Sequence, residues 1–145
     1  MGLIKPPPFV RFAGYGDGST LSTDASVDNP TFGGNPAQVV LPPGLWKLEY
    51  SFNLLFGAVN FTFRCTLTAA LAEQDDFTGL AMGPSTRDIN KYTDDSYGFA
   101  HTYHGMYSTS SGVTLKLFIF FSEAHTGDIS VESTYITATY QGPPT

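Results

Sequence analysis

Alternation of apolar and polar residues constrains this chain more than any other feature. Successive side chains of an extended strand point to opposite faces, so an apolar residue at every second position marks a strand with one buried face. From Leu45 to Phe56 the even positions are Trp46, Leu48, Tyr50, Phe52, Leu54 and Phe56, with Lys47, Glu49, Ser51 and Asn53 between them. From Asn60 to Leu71 the parity switches to Phe61, Phe63, Cys65, Leu67, Ala69 and Leu71, against Thr62, Arg64, Thr66 and Thr68. The intervening Gly57-Ala58-Val59-Asn60 suits a hairpin or tight loop.

Two further stripes follow, Tyr97, Phe99, His101 and Tyr103, then Val113, Leu115, Leu117, Ile119 and Phe121, with Ser110-Ser111-Gly112 as the turn between them. A last strand is predicted over Asp128 to Tyr140, ended by Gly142-Pro143-Pro144, and shorter ones near Thr20 to Val27 and Ala37 to Leu41. The segment from Thr78 to Ser96 reads as a long loop with a role of its own, or as a short strand. No stretch of ten residues carries a helical stripe, and Glu73 to Leu80 is at most one turn. The fold predicted is all-β: a two-sheet antiparallel sandwich, best a jelly roll, over residues 19–145, preceded by an extended Pro/Gly-rich arm over residues 1–18.

Composition narrows the function classes. The 145 residues fit one domain. Only 14% are charged, against about 25% in a typical domain. The surface must therefore be built from Ser, Thr, Asn, Gly and Tyr, and part of it is expected to be covered by something. A net charge of -6 without a basic cluster argues against nucleic acid. Cys65 is the only cysteine, which excludes an intrachain disulfide and a multi-Cys metal site. No apolar run reaches a membrane span, and the start of the chain lacks a signal peptide's apolar segment. Pro6 stands where myristoylation needs Ser or Thr. A soluble, unprocessed chain is expected.

Chemistry-bearing motifs are sparse. There is no Gly-x-Ser-x-Gly elbow, and a hydrolase would need His101, His104 or His125 beside a nucleophile in a cleft. His101 and His104 fall on opposite faces of a strand and cannot converge on one metal. Asp75-Asp76 and Asp94-Asp95 lack the spacing of a calcium loop and read as solvated acids. Gly14-Tyr15-Gly16-Asp17-Gly18 lacks the Lys-Ser/Thr pair and helix of a phosphate loop and reads as a turn. Asn60-Phe61-Thr62 matches the glycosylation triplet but opens a strand. No catalytic residue, metal or cofactor is expected.

Two features point to assembly. Phe118 and Phe120 stand opposite in parity to Leu117, Ile119 and Phe121, and Ile136, Ala138 and Tyr140 opposite to Ile129 and Val131. Strands apolar on both faces need a second cover, either a loop of the same chain or a subunit interface formed by Phe118, Phe120, Ile136, Ala138 and Tyr140. The other feature is Leu3, Ile4, Pro6, Pro7, Pro8 and Phe9, an apolar polyproline stretch that can form neither helix nor central strand and reads as a strap.

Leu41-Pro42-Pro43-Gly44-Leu45-Trp46-Lys47-Leu48-Glu49-Tyr50 is similar to the proline, glycine, aromatic, long-strand pattern of tumour-necrosis-factor and C1q-like jelly rolls. Residues Ser111 to Leu117 followed by Val131 to Tyr140 resemble the paired C-terminal strands of those trimeric heads. Within that group the chain resembles bacteriophage capsid decoration (cement) proteins or fibre heads. The resemblance implies a homotrimer of a virion's outer capsid surface; the strap residues Leu3, Ile4, Pro6, Pro7, Pro8 and Phe9 are then expected to grip the major capsid protein, while charge and hydropathy leave no nucleic acid or membrane as partner. The alternative is a receptor- or glycan-binding fibre head using Tyr92, Asp94, Asp95, Tyr97, Tyr103 and Tyr107.

Overall fold

The computed structural model describes residues 10–13, 19–32, 35–57, 63–74, 78–91, 97–125 and 127–145. The strap residues Leu3, Ile4, Pro6, Pro7, Pro8 and Phe9 lie outside them, as do Tyr92, Asp94 and Asp95. The described residues form eleven strands and no helix: β1 (Val10–Ala13), β2 (Ser19–Thr20), β3 (Thr31–Phe32), β4 (Asn35–Pro36), β5 (Gln38–Leu41), β6 (Gly44–Phe56), β7 (Phe63–Ala72), β8 (Leu80–Lys91), β9 (Tyr97–Thr109), β10 (Val113–Phe121) and β11 (Ile129–Gly142).

Two antiparallel sheets result. Sheet A runs β1-β11-β6-β9, with β2 also on β11, and sheet B runs β5-β10-β7-β8; β3 and β4 form a separate small hairpin. The pairing is nested. β1 and β2 pair with β11, β5 with β10, β6 with β9, and β7 with β8. One long hairpin is in effect rolled up, its halves alternating between the sheets, and this is the jelly roll that the periodicity predicts. Val10–Ala13 pairs with Tyr135 to Ala138, so the sandwich begins earlier than residue 19 and the predicted arm is shorter.

The alternating stripes meet between the sheets. Trp46, Leu48, Tyr50, Phe52 and Leu54 from β6 pack with Leu67, Ala69 and Leu71 from β7 and with Leu115, Leu117, Ile119 and Phe121 from β10. Each of the Leu, Ile and Phe side chains contributes roughly 1.5–3 kcal/mol by leaving water. The indole N–H of Trp46 donates to the Pro42 carbonyl at 3.0 Å, and its ring meets Tyr140 edge-on at 5.4 Å. The buried polar end of the tryptophan is thereby satisfied.

Three expectations are corrected. The segment from Thr78, read as a long loop or a short strand, contains the long strand β8, twelve residues. Its inward residues are Met82, Ser85, Ile89 and Lys91, too mixed to alternate visibly. Gly83, at φ 101°, lies in the left-handed region, and the ladder to β7 shifts register between Ala69 and Leu71.

The second correction concerns β11. Its register to β6 shifts between Glu132 and Tyr135, with Ser133 at φ 50°. The extra residue flips the parity, so Ile129 and Val131 before it and Thr134, Ile136 and Ala138 after it all face the core. Ile136 and Ala138 are fully buried in a single copy and cannot form a subunit interface, and Tyr140 is half-buried against the same core.

The third concerns β10. Phe118, paired with Ala70 of β7, is only 3% exposed in the single chain. It too is withdrawn from the interface set, because its own chain already shelters it. Phe120 is half-buried.

Candidate functional site

Three polar side chains meet inside the apolar sandwich, where β8 and β9 close one side of it. Tyr50 comes from β6, Ser85 from β8 and His101 from β9; they are 0%, 6% and 8% exposed. The Tyr50 hydroxyl donates to the Ala69 carbonyl at 2.9 Å. Ser85 Oγ contacts the same hydroxyl and lies 3.3 Å from that carbonyl and 2.8 Å from His101 Nε2. The His101 ring packs between Phe52 and Tyr50, at 5.3 and 6.4 Å between centroids.

A serine hydroxyl 2.8 Å from a histidine nitrogen has the spacing of a nucleophile and its base. Proton placement also allows a purely structural role. With the Tyr50 proton on Ala69, Ser85 donates to Tyr50 and His101 donates through Nε2 to Ser85; this arrangement puts one proton in each of the three close contacts. In this tautomer His101 Nε2 donates to Ser85; in the other it accepts from Ser85. Burial, and secondarily the positive charge of Arg87, hold the imidazole below its usual pKa, which favours the neutral ring. Desolvation likewise raises the Tyr50 phenol. The cluster is a polar plug: it satisfies the Ala69 carbonyl where the β7–β8 ladder shifts register.

A second buried histidine ties loops together. His125, 5% exposed, faces the Gly127 carbonyl with Nδ1 at 2.6 Å and the Ser22 carbonyl with Nε2 at 2.5 Å. Its backbone N–H donates to Thr23 at 3.0 Å. Phe63 and Phe121 pack edge-on to the ring at 5.4 and 5.7 Å. Next to it, the Ser22 N–H donates to Asp28 Oδ2 at 2.6 Å, and Asp28 pairs by backbone with Ile119. Burial raises the Asp28 carboxyl. Asp24 is lowered chiefly by the hydroxyls of Ser22 and Ser26.

The remaining residues singled out by sequence are dispersed. Tyr103 lies 5.9 Å from the Tyr50 ring, and Tyr107 is half-buried with its hydroxyl donating to Glu73 at 2.7 Å. Burial, aided by that carboxylate, pushes the Tyr107 phenol up to about 12. Both rings are partly buried and pack against the core. Tyr97 is the first residue of β9. His101 is buried and His104 exposed, as opposite parity requires. Burial, reinforced by Glu123 and Asp88, pushes the Cys65 thiol up to about 12, so its nucleophilic thiolate is scarce near neutrality. Among the described residues no three His, Cys, Asp or Glu side chains gather as a metal site. Sequence reasoning missed Ser85, whose only signal was its place after the Gly83-Pro84 turn pair.

No family profile and no curated protein sequence matches the chain. Among solved structures, a chain of the infectious bursal disease virus Gx strain is similar, with a TM-score of 0.40 and 14% identity over 96% of this chain. The present chain spans 32% of that one's length.

Proposed function

We propose that this chain is a structural virion protein that decorates the outer surface of a capsid and clamps neighbouring major capsid subunits. The observation that carries the reading is the outer face of sheet A. Ser51, Asn53, Leu55, Ala100, Thr102, His104, Met106, Ser130, Tyr135, Thr137 and Thr139 lie on it, and Lys47, Glu49 and Glu132 are charges on β6 and β11 there. A sheet face built mainly from hydroxyl, amide and small apolar side chains, with its few charges scattered, is suited to being covered by protein, because charge is what interface centres lack. The sealed Tyr50–Ser85–His101 plug supports a non-enzymatic reading, since its groups are spent on one another and on a backbone carbonyl.

Strap residues Leu3 to Phe9 would add affinity at little entropic expense, because polyproline is already extended. A homotrimer on the capsid would have to be built from contacts other than Phe118, Ile136 and Ala138. The test is binding to purified capsids of the parent virus with and without residues 1–9. Loss of binding with an unchanged thermal transition is expected on deletion, and full retention would overturn the clamp. Copy number adds a second check: hundreds of chains per particle fit decoration, and a few dozen or fewer fit a fibre head.

A further inference from the structure

The long edge strand β9 exposes a stretch of backbone shaped to pair with itself. In an antiparallel ladder a residue's N–H and C=O point to the same side, and alternate residues point to alternate sides. Gly57 N–H donates to Asp128 at 3.0 Å, one step beyond the Phe56 and Ile129 pair, so the odd residues of β6 bond to β11. The even residues of β6 therefore bond to β9, where their partners are the odd residues Tyr97 to Thr109. Gly98, Ala100, Thr102, His104, Met106 and Ser108 accordingly turn both backbone groups away from the sheet. The Ala100 carbonyl agrees independently: it accepts from Arg87 Nη1, on the side away from β6, at 3.0 Å.

No described residue pairs with β9 on that outer side. Thr102, His104 and Met106 are exposed, Met106 to 54%. The open stretch is bounded at both ends. Arg87 caps the Ala100 carbonyl at one end, and at the other β9 itself ends at Thr109, just past Ser108, whose side chain bonds Thr145. Ala100 and Ser108 each lie four residues from His104, so the open stretch is symmetric about that residue.

From this we infer that two copies of the chain join through β9, antiparallel about a twofold axis at His104. Thr102 of each copy faces Met106 of the other, and His104 faces its equivalent. Each facing pair exchanges both of its N–H···O bonds, and the surface is self-complementary, as an isologous contact requires. Nothing in Tyr97–Thr109 opposes this, for the strand contains no Pro, Lys, Arg, Asp or Glu. Those residues are the usual guards of an open edge. The twofold pair is independent of the capsid reading, since it is measured on the purified chain alone, and it differs from the threefold ring that the sequence resemblance implies.

Light scattering behind size exclusion at ~100 µM decides the assembly. The chain of 15.7 kDa is expected to elute at twice that mass. His104→Pro should give a monomer with a transition temperature within a few degrees of the parent, because the lost N–H faces outward and breaks no bond within the chain. Thr86→Pro, on the β8 edge, should leave the pair intact. In a Cys65→Ser background, His104→Cys should cross-link under mild oxidation, since facing Cα atoms in a bonded pair are ~5.5 Å apart. Thr102→Cys alone should not, because its copies lie four residues out of register. A monomeric parent, a trimer, or a dimer indifferent to His104→Pro would each overturn the inference.

Discussion

The two long edge strands of the sandwich face the same hazard and meet it differently. β8 closes sheet B and β9 closes sheet A. On β8 the Ser122 N–H bond to Thr66 assigns even residues of β7 to β10, so Thr86, Asp88 and Asn90 turn outward. That edge is guarded: Pro84 lacks an N–H, Arg87 and Asp88 carry charge, and the bulge at Gly83 bends it. β9 has no such guard, apart from the Arg87 side chain reaching across from β8. The short edges β1 and β5, four residues each, are protected by their length. An edge that is long and uncharged, in a molecule that guards its counterpart, is the surface the inferred pair uses.

The seam between the two strands gives the largest expected effect on stability. Ser85→Ala strips the link between Tyr50 and His101 and leaves the buried His101 nitrogen without its partner. A loss of about 2 kcal/mol in urea unfolding is expected. A change below ~0.5 kcal/mol would mean that the plug does not hold β8 to β9.

Acid should open the same seam. The folded pKa of His101 lies below the unfolded value of about 6.5, so the unfolded chain takes up the proton first. The contribution of the neutral ring is complete above that value. It declines as pH falls below it and is gone once the folded ring titrates. Asp28 acts with the opposite sign: its raised carboxyl favours the folded state at low pH, and that gain is lost as pH rises. Thermal melts from pH 7.5 to 5 should slope downward toward acid, and His101→Gln should flatten the slope. An unchanged slope in that variant would assign the acid response elsewhere.

Arg87→Ala is the mildest test. The guanidinium sits 4.0 Å above the Phe99 ring and bonds the Ala100 carbonyl. Because Arg87 is exposed, a destabilisation of about 0.5–1 kcal/mol is expected. The same variant lengthens the open stretch of β9, so its apparent mass should stay that of the pair. Dissociation to monomer would show that Arg87 belongs to the contact instead of bounding it.

The jelly roll was legible because the core-facing positions of β6, β7 and β10 are apolar at every second residue. The two bulges were not. Ser133 adds one residue to β11 and turns a single apolar face into two apparent ones, which is why Ile136 and Ala138 read as an uncovered surface. Gly83 and Pro84 interrupt β8 in the same way, and its buried Ser85 and Lys91 hid the strand. The plug was invisible for a different reason, since it joins residues from β6, β8 and β9 that only the nested pairing brings together. That β9 stands at an edge was not legible, since an uncharged strand can equally be central, and which of its residues turn outward depends on ladder parity.

Amide hydrogen exchange, followed by NMR from ~5 to ~500 µM, separates the two edges residue by residue. Protection at Thr102, His104 and Met106 should rise with concentration, while Thr86, Asp88 and Asn90 stay fast throughout. Equal, concentration-independent exchange along both edges would contradict the self-pairing of β9.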